Sequence, residues 1–205
     1  MMGAQLEIES AREAALSFDV TRTVVLGRYI QAWGMPAHRV VMTGRAGQAR
    51  IEIYHFPPAA SAHPARYATV GLSRVHHKTG AAHAEWMMAL EAGLGGEGVD
   101  RVYGYFCDLI AHSIENTDGS EPPRVMGASP LAPQKWTAKA ILIDELRGES
   151  EELERIPVGS ETVALQWVVP ISQKEAALIL EQGIDAFDAY VENLAHSIVD
   201  PARPA

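Results

Sequence analysis

Residues 163–187, V-A-L-Q-W-V-V-P-I-S-Q-K-E-A-A-L-I-L-E-Q-G-I-D-A-F, constrain the fold more than any other part of the chain. An apolar, β-branched run ending in Trp167-Val168-Val169 reads as a strand buried on at least one face. Pro170 has no amide for a ladder, so the strand is expected to stop there. Ser172 then makes a helix N-cap and Glu175 stands three residues later, the spacing of a reciprocal capping box. Ile171 and Ala176 form at best a thin hydrophobic staple across that corner. Gly183 supplies the positive φ that closes helices, and a second helix is predicted from Asp185 to about Ile198. The unit is strand, corner, helix, helix.

The rest of the chain supplies strands that neighbour one another. Residues 10–33 repeat apolar side chains every three or four positions, which predicts a helix, with a break near 19–21 where Asp and Thr cluster. Gly34 and Pro36 end it. Val40-Val41-Met42 and the alternating residues 51–56 predict a hairpin across the turn at 44–47, the second strand half-buried. Residues 67–72 predict a third strand, with Gly71 marking a bulge or a close backbone approach. Residues 84–90 are read as a strand because they are short and lie between loops. A glycine-rich linker at 93–98 precedes the clearest amphipathic helix, at 99–115. Residues 124–134 read as irregular, 136–146 as a strand, 149–154 as an acidic surface turn, and the tail from Pro201 as disordered. Strands without intervening helices give an α+β class: a single domain with a mixed, largely antiparallel sheet and helices packed against it. Residues 1–19 form a partly helical N-terminal segment, loosely held to about residue 8; residues 20–198 form the domain, and 199–205 the tail.

Composition narrows the partners. The chain has 205 residues and a formal net charge of −9, which argues against nucleic acid or an anionic membrane as the main partner. No cluster of Lys and Arg is visible along the sequence. The single cysteine, Cys107, permits no internal disulfide and fits a reducing compartment. With no apolar run long enough for a membrane span and no leader-like start, the expected location is the cytoplasm.

Each candidate for chemistry has a simpler structural reading. His76, His77 and His83 make an H-H-x5-H pattern, but adjacent histidines diverge, so a solvated loop is preferred to a metal site. The run at 71–75 is similar to a nucleophile elbow around Ser73, yet Val75 replaces its second glycine. Cys107, with His112 nearby, borders an apolar helical stripe and reads as a packed thiol. Asp144, Glu145 and the acidic turn read as a solubilising edge or a face for a basic partner. Trp86, Trp136 and Trp167 read as core. The glycines at 93–98 fit no phosphate-binding or dinucleotide-binding register. No catalytic residue, metal or cofactor is assigned.

These residues resemble the suppressor of fused domain family. Trp167, Pro170, Ile171, Ser172, Glu175 and Gly183 are similar to its apolar strand, its "P-I-[ST]-x-x-E" corner and its glycine helix break. Residues 54–58, followed by Thr69, Gly71 and Ser73 in a "T-x-G-x-S" strand, look like an upstream part of the same pattern, with Glu85 on the next strand. The resemblance covers about residues 20–196. It implies a non-enzymatic protein-binding domain. Stand-alone bacterial-type members look like immunity proteins that neutralise a toxin of a polymorphic toxin system. Thr69, Ser73, Arg74, His76, His77, Glu85 and Trp86 are the expected partner-binding residues. The alternative is a hydrolase or metal-dependent enzyme using His76, His77 and His83. Oligomeric state stays open.

Overall fold

Eight strands join in one sheet. A computed structural model describes residues 2–42, 50–61, 63–75, 84–91, 98–116 and 121–204, with side chains from residue 12 onward. The strands are β1 (His38–Met42), β2 (Ile51–Phe56), β3 (Ala65–Val70), β4 (Ala84–Leu90), β5 (Arg124–Met126), β6 (Ala140–Glu145), β7 (Arg155–Val158) and β8 (Glu161–Ile171). The helices are α1 (Met2–Trp33), α2 (Val99–Asn116), α3 (Gln173–Gln182) and α4 (Ile184–Val191). The sheet runs β1-β2-β3-β4-β8-β6-β5, with β7 also on β8. The β4–β8 pair is parallel and the other pairs are antiparallel, so the α+β class with a mixed, largely antiparallel sheet holds.

Both faces of the sheet are covered, which follows from the alternation of side chains along each strand. One face packs Ile53, Tyr67, Trp86, Met88, Ile141 and Val168 against Tyr103, Phe106 and Ile110 of α2. The other face has two halves. Tyr54, Phe56, Val70, Met87 and Leu165 meet Val25, Tyr29 and Trp33 of α1. Leu142, Val169 and Ile171 meet Ala176, Ile179 and Phe187 of α3 and α4. Because helices cover both faces, β2 is buried at all six positions rather than half-buried as its alternation predicts.

Several expected boundaries move, each for a local reason. Helix α1 starts at Met2 and runs unbroken through 19–21. The hydroxyls that suggested a break turn inward along the helix: Thr21 Oγ1 donates to the Ser17 carbonyl at 3.1 Å and Thr23 Oγ1 to that of Asp19 at 2.8 Å. Strand β8 does not stop at Pro170 but continues to Ile171, with Pro170 opposite Ile141 of β6. The Pro170 carbonyl accepts from Arg203 Nη2 at 3.0 Å, so that residue's hydrogen-bonding side faces away from β6 and the missing amide costs no ladder bond. The expected strand at 136–146 begins at Ala140, and the irregular stretch at 124–134 holds β5. Strand β7, R-I-P-V, has no counterpart in the sequence reading; it pairs on β8 alone, where Pro157 is tolerated. Helix α4 ends at Val191 and not near Ile198.

The largest departure is the C-terminus. The segment expected to be a disordered tail is docked: the Pro201 carbonyl accepts from the Thr137 and Ala138 amides, both at 3.0 Å. Arg203 is 2% exposed. Its guanidinium donates to Glu175 Oε1 at 3.2 Å and Oε2 at 2.7 Å, to the Pro170 carbonyl, and to the carbonyls of Ile198 and Asp200 at 3.0 and 2.9 Å. Glu175 is also the N3 residue of the capping box, accepting from the Ser172 amide at 2.6 Å. One buried ion pair therefore joins the chain end, the end of β8 and the start of α3. Substitution Arg203→Met, which leaves Glu175 buried without its cation, is expected to destabilise the fold by about 3–5 kcal/mol. The check is a fall in the denaturant midpoint at unchanged slope.

Candidate functional site

Four of the expected site residues come together, and they do so in the interior. Strand β3 ends at Val70, and Gly71 takes φ 102°, which turns the chain into a short 3₁₀ segment at Leu72–Arg74. A Cβ on Gly71 would stand 2.3 Å from the Arg50 carbonyl oxygen and 2.7 Å from the Phe18 ring, so the close approach read from this glycine is real. The turn points its donors at Glu85 of β4. Glu85 Oε1 accepts from the Gly71 amide at 2.8 Å, the Ser73 amide at 3.2 Å and the Ser73 hydroxyl at 2.7 Å. Glu85 Oε2 accepts from the Thr69 hydroxyl at 2.6 Å and the Leu72 amide at 3.1 Å. Thr69 Oγ1 in turn accepts from the Trp86 amide at 2.8 Å, and the Thr69 carbonyl accepts from the Tyr29 hydroxyl at 3.2 Å.

Burial pushes the Glu85 pKa up, while the Thr69 and Ser73 hydroxyls and the turn amides pull against it. Ser73 is 2% exposed and its hydroxyl is committed to a carboxylate, which is not the arrangement of an exposed, base-activated nucleophile. Trp86 is buried, bonds Gln166 Oε1 through Nε1 at 3.1 Å and stacks near Phe106. Arg74 is the one described member of the expected binding set that is not buried; it is partly exposed, and its Nη1 donates to Thr21 Oγ1 at 3.3 Å. His76, His77 and His83 lie outside the described residues, as do the turn at 44–47 and most of the glycine linker. Among the described residues, no three His, Cys, Asp or Glu side chains converge as a metal site. Burial, with the Asp108 carboxylate, raises the Cys107 pKa and keeps that thiol protonated. Of the tryptophans read as core, Trp136 is buried and Trp167 partly so. The acidic turn is not simply a solvated edge. Glu149 accepts from Arg66 Nε at 2.5 Å and from Trp33 Nε1 at 2.7 Å, and so anchors the end of α1.

The sequence reading missed a second cluster. Glu52 of β2 is fully buried and three arginines surround it: Arg22 Nε at 2.9 Å, Arg50 Nη2 at 2.5 Å and Arg39 Nη1 at 3.5 Å. The Tyr54 hydroxyl also donates to Glu52, and accepts from Arg22 at 3.0 Å. Burial alone would raise the Glu52 pKa; the Tyr54 hydrogen bond, Arg22 and Arg50 outweigh it, and the net shift is downward. The arginines come from α1, β1 and the residue before β2, so no run of cations marks them. The signal was a lopsided distribution: residues 20–84 hold eight of the 17 Lys and Arg residues and one of the 26 Asp and Glu residues.

The comparisons with known proteins agree with this architecture. Residues 47–204 match the family model described as suppressor of fused protein (SUFU). The chain belongs to the suppressor of fused family. The matched segment runs through Arg203, beyond the 196 at which the sequence resemblance ended, and it begins after α1 and β1. A crystal structure of a SUFU homolog from Neisseria gonorrhoeae FA 1090 superposes with a TM-score of 0.69 at 14% identity, covering 90% of this chain and 96% of that one. Drosophila Suppressor of Fused superposes at 0.63 and 12% identity, with 88% of this chain on 49% of that chain. A Sufu–Fu complex gives 0.54 at 12% identity, over 85% of this chain and 84% of that one. Identities this low show the fold. No curated protein matches the sequence. No described helix is long and apolar enough to cross a membrane.

The Glu85 cluster and the buried histidine of β2 generate separate stability tests. Glu85→Gln replaces one acceptor oxygen by an NH₂ that faces amides and hydroxyls, and is expected to cost about 1–3 kcal/mol in denaturant unfolding. His55, buried and stacked on Tyr67, has its pKa lowered by burial and by His38. A base with a depressed folded pKa contributes stability above the ordinary histidine value and loses it as pH falls through the folded value. Unfolding free energy is therefore expected to drop below about pH 6.5, and His55→Phe to reduce that drop when mildly acidic and neutral conditions are compared.

Proposed function

We propose that this chain is a non-enzymatic protein-binding domain that acts in the cytoplasm as an immunity protein, masking a toxin of a polymorphic toxin system. Membership of the suppressor of fused family carries the reading, because one structure of the same fold is a Sufu–Fu complex. The chain spans nearly all of the Neisseria homolog and about half of the Drosophila protein. The Ser73–Glu85 arrangement supports binding over catalysis, since the Ser73 hydroxyl and both Glu85 carboxyl oxygens are taken up in holding the turn to β3 and β4. In this reading Thr69, Ser73, Glu85 and Trp86 are framework and Arg74 stands at the partner-facing rim.

The test uses the full chain as bait in lysate from its native cells, with captured proteins identified by mass spectrometry. The expected result is one stoichiometric partner whose isolated toxic domain arrests growth, with growth restored by co-expressing this chain. A well-folded bait that captures no partner, or a captured protein whose toxicity this chain does not relieve, overturns the immunity reading.

A further inference from the structure

The arginine cluster is larger than its buried carboxylate requires. Glu52 carries one negative charge, already held by Arg22 at 2.9 Å and the Tyr54 hydroxyl. Arg39 and Arg50 add two further cations, with side chains 42% and 52% exposed. Arg74 brings a fourth to the same neighbourhood, bonded to the neutral hydroxyl of Thr21, one residue before Arg22. The Arg50 guanidinium also sits over the Phe18 ring, 5.3 Å from its centroid, which holds that side chain in place. The nearest carboxylate along α1, Asp19, makes no ion pair among the described residues. A chain of net charge −9 thus presents a face with four arginines about one neutralising group.

That face lies at an open edge. Among the described residues, strand β1 ends the sheet and pairs with β2 alone. The register sets Arg39 opposite Tyr54 and Val41 opposite Glu52, so alternate residues of β1 share the face of the cluster. A strand added to β1 would send its own alternate side chains over the arginines. Resting on the protein-binding reading, we propose that the basic face formed by Arg22, Arg39, Arg50 and Arg74 docks an extended acidic segment of the partner protein along the edge of β1. Two of these arginines, Arg22 and Arg39, precede the residues matched by the family model, so family membership does not assign this surface. The narrow patch and the strand edge favour a peptide over a nucleic-acid backbone, which needs a long basic track.

The experiment titrates the full chain with a fluorescein-labelled peptide of alternating glutamate and valine, and with a control peptide in which lysine replaces glutamate. Arg39→Gln/Arg74→Gln removes one exposed and one partly buried cation and leaves Arg22 and Arg50 on Glu52, so the variant retains the close ion pairs; its melting temperature verifies folding. The acidic peptide is expected to bind in a salt-sensitive manner and to lose about tenfold in affinity to the variant. Arg155→Glu, on the distant exposed strand β7, is expected to change little. Equal affinity for wild type and variant, an equal loss with Arg155→Glu, or preference for the lysine peptide overturns the proposal. So does tighter binding of a single-stranded oligonucleotide, or a dimer in solution that the variant dissolves, since either gives the face another occupant. Capture of the native partner by wild type and variant alike overturns this surface while the protein-binding reading stands. Capture by neither breaks the protein-binding reading, and the peptide titration then judges the surface by itself.

Discussion

The carboxylate of Glu85 holds the centre of the molecule. It sits on β4, between β3 and the parallel strand β8, and accepts five hydrogen bonds, one from Thr69 of β3 and four from the turn that leaves it. Three of the donors are backbone amides that a buried turn would otherwise leave unpaired. The turn can aim them inward because Gly71 adopts a positive φ. Both flanking layers then depend on the same point. Tyr29 of α1 bonds the Thr69 carbonyl on one face, and Trp86 packs near Phe106 of α2 on the other. The T-x-G-x-S pattern and its distant glutamate are one structural device, a carboxyl group buried among amides and hydroxyls with no cation against it among the described residues.

The fold buries two more glutamates by different means. Glu175 takes the Ser172 amide and a single arginine whose five N–H groups are all used, giving a closed site with no outward valence. Glu52 takes one tyrosine hydroxyl and three partly exposed arginines. The contrast separates structural from surface roles. Charge is balanced and sealed at Glu175, satisfied by neutral donors at Glu85, and left in positive excess at Glu52. Partial exposure of the arginines there also lowers the desolvation cost that makes a sealed ion pair a doubtful source of stability.

Local signals were legible where one residue type answers one local need. Ser172, Glu175 and Gly183 announced the capping box and the helix stop, and β4 and α2 fell close to their expected bounds. Errors arose where a distant partner changed the local answer. Pro170 reads as a strand stop until Arg203 supplies its carbonyl with a partner. Residues 19–21 misled for a local reason instead: the Thr21 hydroxyl bonds back four residues along α1 and leaves the helix unbroken. The tail reads as disordered because its one decisive residue, Arg203, meets Glu175 across 28 positions. Four of the expected binding residues, Thr69, Ser73, Glu85 and Trp86, lie in the interior. Thr69, Ser73 and Glu85 look like a polar surface motif, and polarity alone does not distinguish a ligand site from a hydrogen-bonded core. The arginine face was hidden because Arg22, Arg39, Arg50 and Arg74 are spread along the chain and meet only after α1, β1, β2 and the β3 turn are assembled.

Charge segregation bears on how such a domain meets a partner. A uniformly acidic protein would repel an acidic segment from every side, and salt would relieve that repulsion. Along the sequence, residues 20–84 hold eight cations and one carboxylate, Glu52; in the fold Arg28 and Arg66 pair with Glu152 and Glu149, while Arg22, Arg39, Arg50 and Arg74 remain grouped about Glu52. The chain therefore carries a charge asymmetry as well as a net charge. Such a field orients an approaching acidic group toward one face and away from the remainder, raising the rate of productive encounters more than the final affinity. The open edge of β1 supplies what electrostatics lacks, a row of directional backbone donors and acceptors that fixes register after arrival. Steering by the arginines and alignment by the strand edge act on the same few residues, so loss of either would leave the other without its purpose.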